Sequence, residues 1–135
     1  MDLVSIRLIT DDPGRLVGFY EGISGVAATW YTDDFAEVIM PSCTLAIAST
    51  RTVALFGAGS ARPADNHTAI IEFRVADVDK EHERLRGLVR DVVQAPTTMP
   101  WGNRSLLFRD PDGNLVNFFT PVTAEAIRKF ARPGN

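Results

Sequence analysis

The chain has 135 residues, room for one domain with a sizeable core and too few for two ordinary ones. Hydrophobic residues make up 45% and charged residues 23%, as in a globular protein, and a net charge of −3 gives neither nucleic acid nor an anionic membrane a surface to attract. No apolar run reaches the ~18–20 residues that span a bilayer, and no basic stretch followed by an apolar one opens the chain, so a soluble cytoplasmic protein is expected. The single cysteine, Cys43, excludes an intramolecular disulfide and reads as a small core residue.

Residues 3–9 alternate, with Val4, Ile6 and Leu8 on one face and Ser5, Arg7 and Ile9 on the other, which predicts a strand. Asp12 and Pro13 then supply a cap and a first helical residue. Leu16, Phe19, Tyr20 and Ile23 recur at helical spacing, and Gly25 is placed to end that helix. Residues 26–31, 35–40 and 43–49 read as three short strands. Residues 51–66, with Gly57, Gly59 and Pro63, read as a linker or flexible loop with a short turn at 53–56.

From Thr68 the pattern restarts: Ile71, Phe73 and Val75 alternate with Ile70, Glu72 and Arg74. Asp77 precedes a charged helix expected from Val78 to about Val89, and strands follow at 91–95, 104–109 and 114–120. A last short helix, capped by Thr123 with Ile127 and Phe130 inward, is expected before residue 131. Shifting the first half by 65 places Arg7 on Glu72, Asp12 on Asp77 and Gly22 on Gly87. The chain is therefore read as α+β: two tandem βαβββ modules at about 3–50 and 67–121, a linker at 51–66 and a tail at 122–135. One helix covers one face of each four-stranded sheet. The paired, curved sheets are expected to enclose a cavity with their other faces.

The string RDPDGNLVNFF at 109–119, with PWGNR just before it, resembles the closing hairpin of the vicinal oxygen chelate superfamily of glyoxalases, bleomycin-resistance proteins and extradiol dioxygenases. The turn at 110–114 combines a fixed proline φ, a glycine free to take positive φ, and side chains that bond backbone. The resemblance covers essentially the whole chain and implies the paired-module fold. It also implies four metal-ligand positions, a His or similar group on the first strand of each module and a Glu or similar group on the last. Here those positions fall on Ser5, Ile70, Asn117 and a residue near Ala46. None is a carboxylate, imidazole or thiolate, so no cofactor is expected; a divalent metal held by other residues, for instance His67 with Glu72, is the alternative. His82 lies on a charged helix face that reads as solvated.

The expected ligand-binding residues are Ser5, Arg7, Ile70 and Asn117 on the cavity faces, one of Trp30 and Tyr31, and Trp101 with Arg104 near the closing hairpin. Arg7 and Glu72, as repeat mates, read either as a charged pair that anchors a polar substrate or as a structural ion pair. Glu72 is the candidate catalytic base, which requires a substrate proton within reach. The resemblance implies a homodimer that holds a small organic ligand by sequestration. A lyase, isomerase or dioxygenase of glyoxalase type is the competing reading.

Overall fold

A computed structural model describes residues 1–131. The chain divides into two compact units, Met1–Asn66 and His67–Asn135. Each carries one four-stranded mixed sheet, and the four α-helices among the described residues include one at the C-terminal end. The architecture is α+β, built from two βαβββ modules.

In the first unit, β1 (Ser5–Thr10) is followed by α1 (Pro13–Ser24), then β2 (Thr29–Thr32), β3 (Phe35–Ile39) and β4 (Thr44–Ser49). The strand order is β1-β4-β3-β2, with β1 and β4 parallel and the rest antiparallel. Asp12 caps α1 by accepting from the Arg15 N–H at 3.1 Å, Pro13 opens the helix, and Gly25 ends it at φ 71°. Gly22, aligned by the repeat with a helix end, lies inside α1. The first expected strand residue, Val26, stays outside β2, because the chain leaving the Gly25 cap is first tied back by Ala28 N–H donating to Glu21 Oε2 at 2.8 Å.

Register sorts the sheet into two faces. Leu8, Ile47 and Ala36 lie in one row, opposite Trp30, on the side covered by the buried α1 residues Leu16, Val17, Tyr20 and Ile23. Arg7, Ala46 and Glu37 form a row on the other face. A 3-10 turn at Thr50–Thr52 opens the expected linker, and the short turn expected at 53–56 is the one-turn helix α2 (Val53–Phe56). The buried Ser49 hydroxyl starts that turn. It accepts from Arg51 N–H at 3.2 Å and donates to Asp34 at 2.8 Å.

The second unit repeats the plan with β5 (Ile70–Arg74), α3 (Val78–Arg84), β6 (Val92–Thr98), β7 (Asn103–Arg109) and β8 (Leu115–Pro121), in strand order β5-β8-β7-β6. Asp77 caps α3 by accepting from Asp79 and Lys80 N–H at 3.1 and 3.2 Å. The α-helix stops at Arg84, short of the expected Val89, and tightens into a 3-10 turn at Leu85–Gly87, where glycine disfavours continuation. Phe108, Phe118 and Phe73 meet edge to face on the α3 side, at 5.2 and 5.5 Å between rings. β6 tolerates Pro96 because it is an edge strand, where a missing N–H breaks no ladder bond. α4 (Ala124–Phe130) follows, with Thr123 accepting from Ala126 N–H at 3.2 Å. Its buried residue is Ala126. Ile127, expected inward, is 52% exposed, while Phe130 does reach back to Phe119 at 5.1 Å between rings.

Candidate functional site

The two sheet faces that lack a long covering helix carry the candidate groups, and each is described within its own unit. In the second unit, Glu72 on β5 lies opposite Asn117 on β8, which lies opposite Leu107 on β7. Asn117 Nδ2 donates to Glu72 Oε2 at 2.8 Å. Asn117 is only 8% exposed, and its Oδ1 is buried with no hydrogen-bond partner among the described residues. A buried acceptor left unpaired costs on the order of 1–3 kcal/mol. Ile70 sits two residues before Glu72 on the same face and is 48% exposed. Glu72 itself is exposed, so its second oxygen is open to solvent or ligand.

In the first unit, the equivalent row is Arg7, Ala46 and Glu37. The Arg7 guanidinium lies over the Phe35 ring at 4.6 Å and the Phe56 ring at 5.1 Å. Tyr31 stacks on Phe35 at 5.4 Å with 23° between planes. A hydrogen bond to the Glu37 carboxylate pushes the Tyr31 phenol above its ordinary value, with desolvation and the carboxylate's charge acting in the same direction. Ser5 shares this face, opposite Thr44, two residues from Arg7.

The structure thus brings Ser5, Arg7 and Tyr31 to one face of the first sheet, and Ile70, Glu72 and Asn117 to one face of the second. Three expected residues lie elsewhere. Trp30 pairs with Ala36 and falls on the α1 side, so of the two adjacent aromatics Tyr31 is the one on the Arg7 face. Arg104 is on the α3 side, where its Nε and Nη2 bind the two Asp79 oxygens at 2.9 and 3.1 Å. That bond, more than the opposing desolvation, holds the Asp79 carboxyl below its usual range. Trp101 is 68% exposed in the turn between β6 and β7. Phe35, Phe56 and Glu37 were not among the expected residues. Phe35 and Glu37 alternate in step along β3, which was a usable signal; Phe56 sits in a segment with no periodicity to read.

Among the metal-ligand positions that the family resemblance implies, register removes the uncertainty over which first-module residue is the counterpart of Asn117. Arg7 lies opposite Ala46 as Glu72 lies opposite Asn117, so Ala46 is the counterpart of Asn117. The four positions hold a hydroxyl, a methyl, a branched alkyl and an amide already committed through its nitrogen to Glu72. Transition metals bind such a set poorly, and these residues do not fit the group. Among the described residues, no cluster of three or more His, Cys, Asp and Glu side chains has metal-holding geometry elsewhere. His67 is exposed just ahead of β5, and His82 is half-buried beside an apolar cavity of about 140 Å³ under α3.

Comparison with known proteins agrees with the topology. The uncharacterized protein YraH of Bacillus subtilis (strain 168) is 25% identical over 125 residues, which is 88% of this chain and 98% of that protein. A glyoxalase/bleomycin resistance protein/dioxygenase family enzyme from Burkholderia phytofirmans PsJN superposes with a TM-score of 0.81 at 16% identity, over 90% of this chain and 100% of that one. A glyoxalase-related enzyme from Fulvimarina pelagi gives 0.76 at 19% identity, over 92% and 94%. The family model described as Glyoxalase/Bleomycin resistance protein/Dioxygenase superfamily matches residues 2–118. With its two βαβββ modules and its closing turn at 110–114, the chain belongs to the glyoxalase/bleomycin resistance protein/dioxygenase superfamily.

Proposed function

We propose that this protein binds a small organic ligand without a metal ion, using hydrogen bonds and stacking on the open sheet faces. The observation that carries this reading is Asn117. It occupies the last-strand ligand position as an amide, its nitrogen is tied to Glu72, and its buried carbonyl oxygen has no partner among the described residues. A group of that kind is tolerated at a binding site because the ligand supplies the missing bond. The second Glu72 oxygen, on an exposed side chain, is an acceptor, and the buried Asn117 Oδ1 becomes one once an entering ligand uncovers it, so the ligand must present N–H or O–H donors there. Glu72 acts in this reading as an anchor for those donors.

The test uses benzamide, a planar N–H donor, followed through the Asn117 side-chain NH₂ resonance and through melting temperature. Benzamide should move that resonance and raise the melting temperature, since a ligand that binds only the folded state stabilises it. N117L should abolish both effects. Binding that persists undiminished in N117L, or turnover that requires a divalent metal, contradicts the reading and favours a lyase, isomerase or dioxygenase.

A further inference from the structure

Each sheet is followed by a short helix whose last residue is a phenylalanine lying over an arginine of that unit's first strand. Phe130 of α4 lies over Arg74 of β5 at 5.7 Å, and Phe56 of α2 lies over Arg7 of β1 at 5.1 Å. The two arginines differ in what their N–H groups do. Arg74 Nη1 donates to the Phe130 carbonyl at 2.7 Å and serves to tie α4 down. The Arg7 guanidinium has no hydrogen bond or ion pair among the described residues. Its central carbon lies 4.6 Å from the Phe35 ring centre and 5.1 Å from that of Phe56, and the side chain is exposed.

That arrangement has a specific chemical consequence. Tyr31 stacks on Phe35, and the Arg7 cation lies within cation–π distance of both Phe35 and Phe56. The ring contacts restrain the guanidinium without using any of its five N–H donors, so less freedom is lost when it meets a planar oxyanion. The nearest carboxylate on this face is Glu37, two strands across the row and engaged by the Tyr31 hydroxyl. Ser5 and Thr44 place two more hydroxyls on the face, two residues along the strands.

We infer that the Arg7–Phe35–Phe56 cluster is a binding subsite for the carboxylate of an aromatic acid, with the guanidinium taking the carboxylate and the exposed Phe56 ring flanking the ligand's own ring. The carboxylate is met by a fixed fork of donors, and Phe56, 72% exposed, has apolar area to cover. The subsite rests on the ligand-binding reading and adds to it a second ligand chemistry, held by the first unit alone. The two fail separately, because they involve different residues and different probes.

The experiment titrates the full chain with benzoate at constant ionic strength and follows the Arg7 Nε–H resonance, with benzamide as the neutral probe of the same shape. Benzoate should shift Arg7 Nε–H, and benzamide should leave it in place while reporting on Asn117. R7Q should weaken benzoate roughly tenfold or more, as expected for loss of a charge-assisted pair. R7K should fail to restore it, because an ammonium offers neither the fork nor the plane. F56A, at an exposed position where folding is safe, should weaken it by about threefold. Equal benzoate affinity in R7Q, or benzamide moving Arg7 as benzoate does, would overturn the subsite. So would an Arg7 resonance that benzoate leaves unmoved.

Discussion

Asn117 carries the proposed ligand-binding reading in a single side chain. Its nitrogen donates to Glu72, and its oxygen has no partner among the described residues. N117L removes both groups at similar volume. The lost hydrogen bond to an exposed carboxylate and the removed orphan acceptor nearly cancel, so stability should change by less than about 1 kcal/mol in urea unfolding. A retained fold with lost benzamide binding would separate a binding group from a structural one. The Arg104–Asp79 pair makes a different kind of prediction. Because Arg104 lowers the folded-state pKa of Asp79, the pair's contribution is present above the unfolded carboxyl pKa. It is lost as pH falls through the lower folded value. R104A should therefore lose stability at neutral pH and show a shallower loss of stability on acidification than wild type. Identical acid limbs would contradict the pairing. The alternation of Ser5, Arg7, Ile70 and Glu72 was legible from period two. The partner of Arg104 was not, because Asp79 lies 25 residues away on a helix whose charges all looked solvated.

At the scale of elements, helices were readable where caps were explicit. Asp12, Asp77 and Thr123 all bond the first-turn N–H groups that their positions suggested. α2 was legible only as a turn, since four residues cannot display a 3.6-residue period. Phe56, and with it half of the Arg7 clamp, was lost to view for that reason. The choice between Trp30 and Tyr31 was also closed to sequence, because β2 changes register between Trp30 and Thr32. One glycine joins two elements. Gly102, at φ 96°, accepts from Val122 and Thr123 N–H at 2.9 and 3.2 Å, and a Cβ there would collide with the Thr123 hydroxyl that caps α4. G102A should cost roughly 1–3 kcal/mol from overpacking and positive-φ strain together, and should loosen α4. Hydrogen exchange at Ala126 N–H would read the loosening. A melting temperature equal to wild type would show that the turn and the cap are not coupled.

For the whole molecule, the repeat was the most informative part of the sequence. It gave two modules because alternation, a capping aspartate and strand spacing recur together. Strand pairing then sharpened it, placing Ala46 and Asn117 at equivalent positions. Family membership follows from the match over residues 2–118, and a shared fold does not by itself fix the chemistry. The proposed metal-free reading turns on the side chains at the positions where the family resemblance implies metal ligands: Ser5, Ala46, Ile70 and Asn117. The most direct measurement is elemental analysis of the full chain purified without chelator, with melting temperature recorded before and after EDTA. Zinc, nickel, iron and manganese should each fall far below one atom per chain, with the melting temperature unchanged by EDTA. One tightly held equivalent of any of them, removed by EDTA with a drop in melting temperature, would contradict metal-free binding at this site.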